Sequence, residues 1–214
     1  MSSNKTATEI LAAHYAQTFS VHGSNADGVG WGSHEKHRLR LESMAQKVGA
    51  AALREESVLD VGCGYGELLS VLDDSFGIRP ARYIGVDPCL PMIKAARSAH
   101  PGFRFEAMAF EEFVAEQPIE HLICCGVFTK KANATDEDMY RLLDAFLEYG
   151  KNAGSRTITV NTMSPLCDVR PPDLFFPELD RIMKMLQNHW GYSVRNFIFC
   201  NDYLKYEMLM HIQI

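Results

Sequence analysis

The chain has 214 residues, 47% hydrophobic and 22% charged, with a formal charge of −6 at pH 7. That length buries a full core without disulfide or metal staples and fits one domain over 1–214. The acidic balance weighs against a nucleic-acid partner, and no apolar run approaches the roughly 18 residues that span a bilayer. No membrane partner is expected, and the N-terminal segment lacks an apolar core of signal-peptide length, which points to the cytoplasm. Six cysteines (Cys63, Cys89, Cys124, Cys125, Cys167, Cys200) show no C-x-x-C spacing, so neither a metal site nor a disulfide framework is expected.

In chain order, a helical pattern runs from about Thr6 to Phe19, and His22 to Ser33 is a polar, Gly-rich stretch that reads as a cover. Glu35 to Ala52 is helical again. An apolar strand, Val58–Val61, then opens a regular alternation. Helix Glu67–Phe76, strand Arg82–Val86, helix Pro91–Ser98, strand Phe103–Glu106, short helix Phe110–Glu116 and strand Ile119–Cys125 follow. Such a rhythm requires a parallel sheet with helices on both faces. The charged helix Asp136–Tyr149, the strand Arg156–Thr162 and the proline-rich loop Ser164–Pro177 come next. The chain closes with helix Pro177–His189 and two period-two segments, Ser193–Phe199 and Tyr206–Ile212, joined by a turn at Cys200-Asn201-Asp202. That ending reads as a hairpin.

The most informative segment is Val58-Leu59-Asp60-Val61-Gly62-Cys63-Gly64-Tyr65-Gly66-Glu67, an apolar strand running into three alternating glycines. Gly62 and Gly64 let the backbone turn tightly and let a ligand approach without an intervening Cβ, while Gly66 opens the next helix. About twenty residues on, a second strand ends in Asp87, whose carboxylate can accept two ribose hydroxyls. The plainer reading of Asp87 is a cap on the following helix. Dehydrogenases favour G-x-G-x-x-G, whereas here Glu67 stands where the third glycine belongs, and a diphosphate would meet Asp60 and Glu67 with no basic residue nearby.

Leu59-Asp60-Val61-Gly62-Cys63-Gly64-Tyr65-Gly66, the pair Val86-Asp87 and the antiparallel ending together resemble the class I S-adenosylmethionine-dependent methyltransferases over most of the chain. The resemblance implies an α/β, Rossmann-like, doubly wound sheet of seven strands whose last strand runs antiparallel, a helical cover over 1–52, a core over 53–214, and S-adenosylmethionine as cofactor. By matching positions, Asp60, Gly62, Cys63 and Gly64 underlie the methionine and ribose part. Asp87 would hold the ribose, with Pro88 and Met92 beside it. Met108, Ala109 and Phe110 border adenine, although Met108 replaces the acid usual in that turn and leaves the amino group to backbone or to Glu111. Cys125 and Gly126 lie against the sulfonium. Gly28-Val29-Gly30-Trp31-Gly32-Ser33, Leu39-Arg40-Leu41, Asn161-Thr162-Met163-Ser164 and Asn201-Asp202-Tyr203 are similar to a subgroup of small stand-alone bacterial methyltransferases. That similarity implies that Trp31 and Arg40 close over the cofactor, Arg40 pairing with its carboxylate as a planar fork.

Methyl transfer from an activated sulfonium needs alignment and desolvation, and a base only for a hydroxyl acceptor. His14, Tyr15 and His34 are the candidates for such a base, with His22 and His37 in the same region; the plainer reading of each is a packing or surface residue. Cys63, Cys124 and Cys125 read as packing residues. Phe128 and Arg170 are candidate acceptor contacts, with Lys130 and Lys131 for an anion and Phe175 and Phe176 as walls; solvated charge and core packing are the plain alternatives. The chain lacks the Asn/Asp-Pro-Pro-aromatic signature of amide and adenine methylation and any basic, aromatic-studded stripe. A small-molecule acceptor methylated on oxygen or nitrogen is the expectation, with the protein a monomer or homodimer. A cofactor-binding protein without turnover and an NAD-dependent oxidoreductase are the rivals.

Overall fold

The computed structural model describes residues 5–214. Seven strands, β1 (Ser57–Val61), β2 (Arg82–Val86), β3 (Arg104–Glu106), β4 (His121–Phe128), β5 (Thr157–Met163), β6 (Asn196–Cys200) and β7 (Glu207–Gln213), form a sheet in the order β3-β2-β1-β4-β5-β7-β6. The first five strands are parallel to one another, and β7 runs antiparallel to both β5 and β6. The seven strands and the antiparallel ending agree with the sequence reading. β7 enters the gap that the crossover from β5 to β6 leaves open.

Because β1 has helices over both faces, all five of its residues are buried, and it reads as a continuous apolar run rather than an alternating one. One core layer packs α1 (Ala7–His22), α6 (Asp136–Asn152) and α7 (Leu179–Trp190) on the sheet. The other packs α2 (His34–Val48), α3 (Ala50–Glu55), α4 (Glu67–Phe76) and α5 (Leu90–Ala99). α6 starts in a capping box: the Asp138 N–H donates to Thr135 Oγ1 at 3.1 Å and the Thr135 N–H to Asp138 Oδ2 at 2.9 Å. Thr135→Ala should lower stability by about 1 kcal/mol, read as a shift of the urea midpoint at unchanged slope.

Several boundaries differ from expectation. The helix expected over Glu35–Ala52 is two helices, parted at Gly49. The helix expected over Phe110–Glu116 is a single 3-10 turn, Phe110–Glu112, which turns Phe110 and Phe113 inward together. β4 runs three residues past Cys125. It does so through a bulge, because Cys124 pairs with Val160 while Phe128 pairs with Thr162, four steps on one strand against two on the other. No described helix is long and apolar enough to cross a membrane.

Candidate active site at the carboxyl ends of the strands

The glycine loop leaves β1 over the end of β2. The N–H groups of Gly62 and Cys63 both donate to the Val86 carbonyl, at 2.9 and 3.2 Å. Asp87 then clamps the loop from below. Its Oδ2 accepts the Gly64 N–H at 3.0 Å and its Oδ1 the Cys89 N–H at 2.8 Å. The cap of α5 is Cys89, without a side-chain bond, so Asp87 is not that helix's cap. Burial pushes the Asp87 carboxyl up to about 6, against the two N–H groups that favour its charge. Asp60 lies one strand over, its Oδ2 accepting the Tyr83 hydroxyl at 2.6 Å. Burial holds Asp60 up to about 7; the Tyr83 bond opposes this and the Asp87 charge adds to it.

The bulge of β4 forms the opposite wall. Gly126, at φ 98°, donates its N–H to Asn161 Oδ1 at 2.7 Å and turns its carbonyl toward the Tyr15 hydroxyl, 3.5 Å away. Val127 then stands over Gly62, so close that a Cβ on Gly62 would lie 2.4 Å from Val127 Cγ2. The cover closes from above. The Trp31 ring lies beside Gly126, where an added Cβ would come within 2.9 Å of Cζ2, and it stacks on His37 at 5.9 Å between centroids.

Two cavities result, of about 70 and 60 Å³, that share Tyr15, Gly62, Asp87 and Val127 as walls. The first extends under Trp31 toward Cys63, Gly64, Met92, Cys125 and Gly126, with Asp60 and Glu67 supplying carboxyls. The second is apolar, between α1 and the segment Val86, Pro88, Ala109 and Phe110. Neither wall carries a lysine or arginine among the described residues. Residues 58–154 match the sequence pattern of the family described as "Methyltransferase domain", and they contain the glycine loop, Asp87 and the β4 bulge. The chain has the fold of a class I S-adenosylmethionine-dependent methyltransferase.

Its relatives are distant in sequence and close in shape. A Mycobacterium tuberculosis protein named as a methyltransferase, Rv1506c, is 24% identical over 163 residues, 73% of this chain and 92% of that protein. The magnesium protoporphyrin IX methyltransferase of Synechocystis PCC 6803, solved with bound S-adenosylmethionine, superposes at a TM-score of 0.69 and 16% identity, covering 100% of this chain and 99% of that one. A Leishmania major S-adenosylmethionine-dependent methyltransferase gives 0.66 and 14%, covering 95% and 83%.

Of the residues read from the sequence, Trp31, Asp60, Gly62, Cys63, Gly64, Asp87, Pro88, Met92, Ala109, Phe110, Cys125 and Gly126 wall the cavities, and so does Tyr15. Met108 packs against the core instead, and Glu111 accepts the Thr8 hydroxyl at 2.6 Å. Arg40 corrects a specific expectation. Its fork is occupied by Glu207, with Nε donating to Oε2 at 2.7 Å and a second nitrogen to Oε1, so it does not wait for a cofactor carboxylate. Phe128 is fully buried against Phe146, because the lengthened β4 turns it inward. Phe175 is likewise core, edge-on to Tyr140 at 5.0 Å. Arg170 folds back on its own loop, bonding the Pro165 and Cys167 carbonyls and lying over Phe176.

The candidate bases fare unevenly. His34 is exposed, 3.9 Å from Glu67, and His14 leans on Tyr15 near Lys130 and Asp173 without walling either cavity. Tyr15 does face both cavities, but burial raises its phenol far above its ordinary value, so it stays protonated. Lys130 and Lys131 pair with Asp173 and Asp136 at 3.0 and 2.6 Å, the plain reading of those charges. His37, named in the sequence only alongside the other histidines of the cover, is a wall residue. Its imidazole is buried, Nδ1 has no hydrogen-bond partner among the described residues, and burial beside Arg40, His34 and Arg38 pushes it down to about 3. Its spacing of three from Arg40 and four from Leu41 on one helix was the available signal. Burial also raises the thiols of Cys63, Cys124 and Cys125, leaving them unreactive packing groups.

Proposed function

We propose that the chain moves a methyl group from S-adenosylmethionine to an oxygen or nitrogen of a small-molecule metabolite by in-line displacement. The observation that carries this reading is the pair of cavities on either side of Gly62, Asp87 and Val127, with carboxyls and aromatics in their walls and no lysine or arginine among the described residues. The donor set fits the group. Asp60, Glu67 and the Trp31 ring suit an ammonium and a sulfonium, whereas a diphosphate would find nothing to neutralise it. The same argument disfavours the NAD-dependent alternative.

In this reading Ala109, Phe110 and Pro88 flank adenine, and Asp87 accepts the ribose hydroxyls with the lone pairs left by Gly64 and Cys89. Gly62, Cys63, Gly64 and Asp60 would hold the methionine portion. Joining the two cavities requires Val127 to swing off Gly62, a single rotamer change. When bound, the cofactor supplies a methyl carbon that gains a bond from the acceptor's lone pair as its bond to sulfur breaks, the electron pair leaving on a neutral thioether. Cys125, Gly126 and Val127 wall that point, and the protonated Tyr15 hydroxyl orients the acceptor. Because burial leaves the His37 imidazole too weak a base to take up a proton and that of His34 lies outside, an unprotonated amine or an already ionised oxygen suits this wall better than an alcohol.

Titration with S-adenosylhomocysteine and with NAD tests the reading, and stabilisation by the dinucleotide alone would overturn it. Asp87→Ala should weaken S-adenosylhomocysteine binding roughly 10–100-fold through the lost charge-assisted bonds, measured by calorimetry. Unchanged affinity would remove Asp87 from the site. A protein that binds the product yet turns over no amine or carboxylate acceptor in a metabolite panel would be the binding-only alternative.

A further inference from the structure

Three polar side chains sit where the fold least tolerates them. Asn161 is fully buried in the middle of β5, and Glu207 and Arg40 are only 7% and 5% exposed. The amide of Asn161 faces the bulge, accepting the Gly126 N–H at 2.7 Å, so it replaces the ladder bond that the bulge removes. Its other end, Nδ2, donates to Glu207 Oε2 at 3.3 Å. Glu207 in turn holds Arg40 in a two-point fork, and the Trp31 ring covers the guanidinium with 3.7 Å between Cζ and the ring centroid. Trp31 lies against the bare face of Gly126. The chain of contacts therefore closes on itself, from Gly126 through Asn161, Glu207, Arg40 and Trp31 back to Gly126.

A desolvated ion pair of this kind is no more stabilising than apolar residues of similar volume, and it leaves Arg40 Nη1 buried without a partner among the described residues. What it supplies beyond an apolar plug is direction: a planar fork and an amide accept one geometry each. The directions they fix are those of the bulge, which walls the cavity, and of the cover, which closes it.

We propose that Asn161, Glu207 and Arg40 are positioning residues, a latch that locks the β4 bulge and the Trp31 cover to one another at the methyl-transfer site. The role in transfer rests on the methyltransferase reading above; the latch itself does not.

The test is made on the full chain in a Trp190→Phe background, so that Trp31 is the only indole. Asn161→Ala should raise hydrogen exchange of the Gly126 amide and of residues 26–33 about tenfold or more, while the amides of β1 and β2 keep their protection. Trp31 emission should shift to the red, and S-adenosylhomocysteine should dissociate about tenfold faster with little change in association. Should that variant fail to fold, Glu207→Gln, which keeps the volume and one acceptor, is expected to move the same readouts in the same direction. Trp31→Leu breaks the loop of contacts at its partly buried corner and should raise exchange at Gly126 as well. Unchanged protection of the cover and of Gly126, or a rise spread evenly over β1 and β2, would overturn the latch. A wild-type protein that binds no S-adenosylhomocysteine overturns only the cofactor reading, because the exchange measurements need no ligand.

Discussion

Gly62→Ala is expected to cost roughly 2–5 kcal/mol of folding stability and to abolish cofactor binding. Two separate costs meet at this position. The backbone sits at φ 71°, where an L side chain is strained by roughly 1–2 kcal/mol. The new Cβ would also lie 2.4 Å from Val127 Cγ2, an overlap whose relief by repacking costs roughly 1–3 kcal/mol. The Val127 backbone cannot shift to relieve it, because Gly126 beside it is tied to Asn161 and wedged against Trp31, so relief requires the side chain to leave its rotamer. Only the second cost depends on Val127. The double variant Gly62→Ala/Val127→Ala should therefore recover the steric part and keep the strain, a coupling of roughly 1–3 kcal/mol in a urea double-mutant cycle. Additive single effects would show that Val127 does not rest on Gly62. The methyl group would still occupy the floor of the shared wall, so S-adenosylhomocysteine binding should stay lost in the double variant.

The parts of this molecule legible in the sequence are those set by local chemistry. Val58–Val61 followed by alternating glycines placed the loop, the spacing to Asp87 placed the second acid, and the period-two ending placed β6 and β7. What escaped was set by partners distant along the chain. Arg40 looked like a fork awaiting a ligand because its partner, Glu207, is 167 residues away. The bulge was invisible for a related reason. A glycine after a buried strand reads as its end, and only the Asn161 amide, on another strand, lets β4 continue through Gly126 and turn Phe128 inward. The polar face of β5 hides likewise, since Thr159 and Asn161 are buried because His211 and Gly126 bond them. The break at Gly49 was readable from composition, but a continuing helical pattern on either side masked it.

Asp60→Asn should flatten the fall in stability as pH rises from 5 to 8. Asp60 and Asp87 have ordinary values of 3.8 and are held at about 7 and about 6 by burial, so the folded chain binds their protons more tightly than the unfolded one. Such groups contribute stability that is complete below about pH 4 and is lost as pH rises through 6 and 7. Buried histidines act in the opposite sense: His37 and His211, lowered to about 3 and about 4, favour the folded chain as pH rises toward 6.5. The two trends overlap below pH 6.5, and above it the carboxyls act alone. The clean observable is therefore the difference between variant and wild type, which should grow in favour of Asp60→Asn by about 3 kcal/mol between pH 5 and 8. Urea unfolding at several pH values in that range measures it. A cationic cofactor should reverse the cost by drawing Asp60 into its charged form. Calorimetry with S-adenosylmethionine at pH 6, in buffers of different ionisation enthalpy, should then show protons released on binding by the wild type and fewer by Asp60→Asn. Parallel pH curves and equal proton release in the two proteins would mean that Asp60 is already charged in the folded chain, and that its Tyr83 bond outweighs its burial.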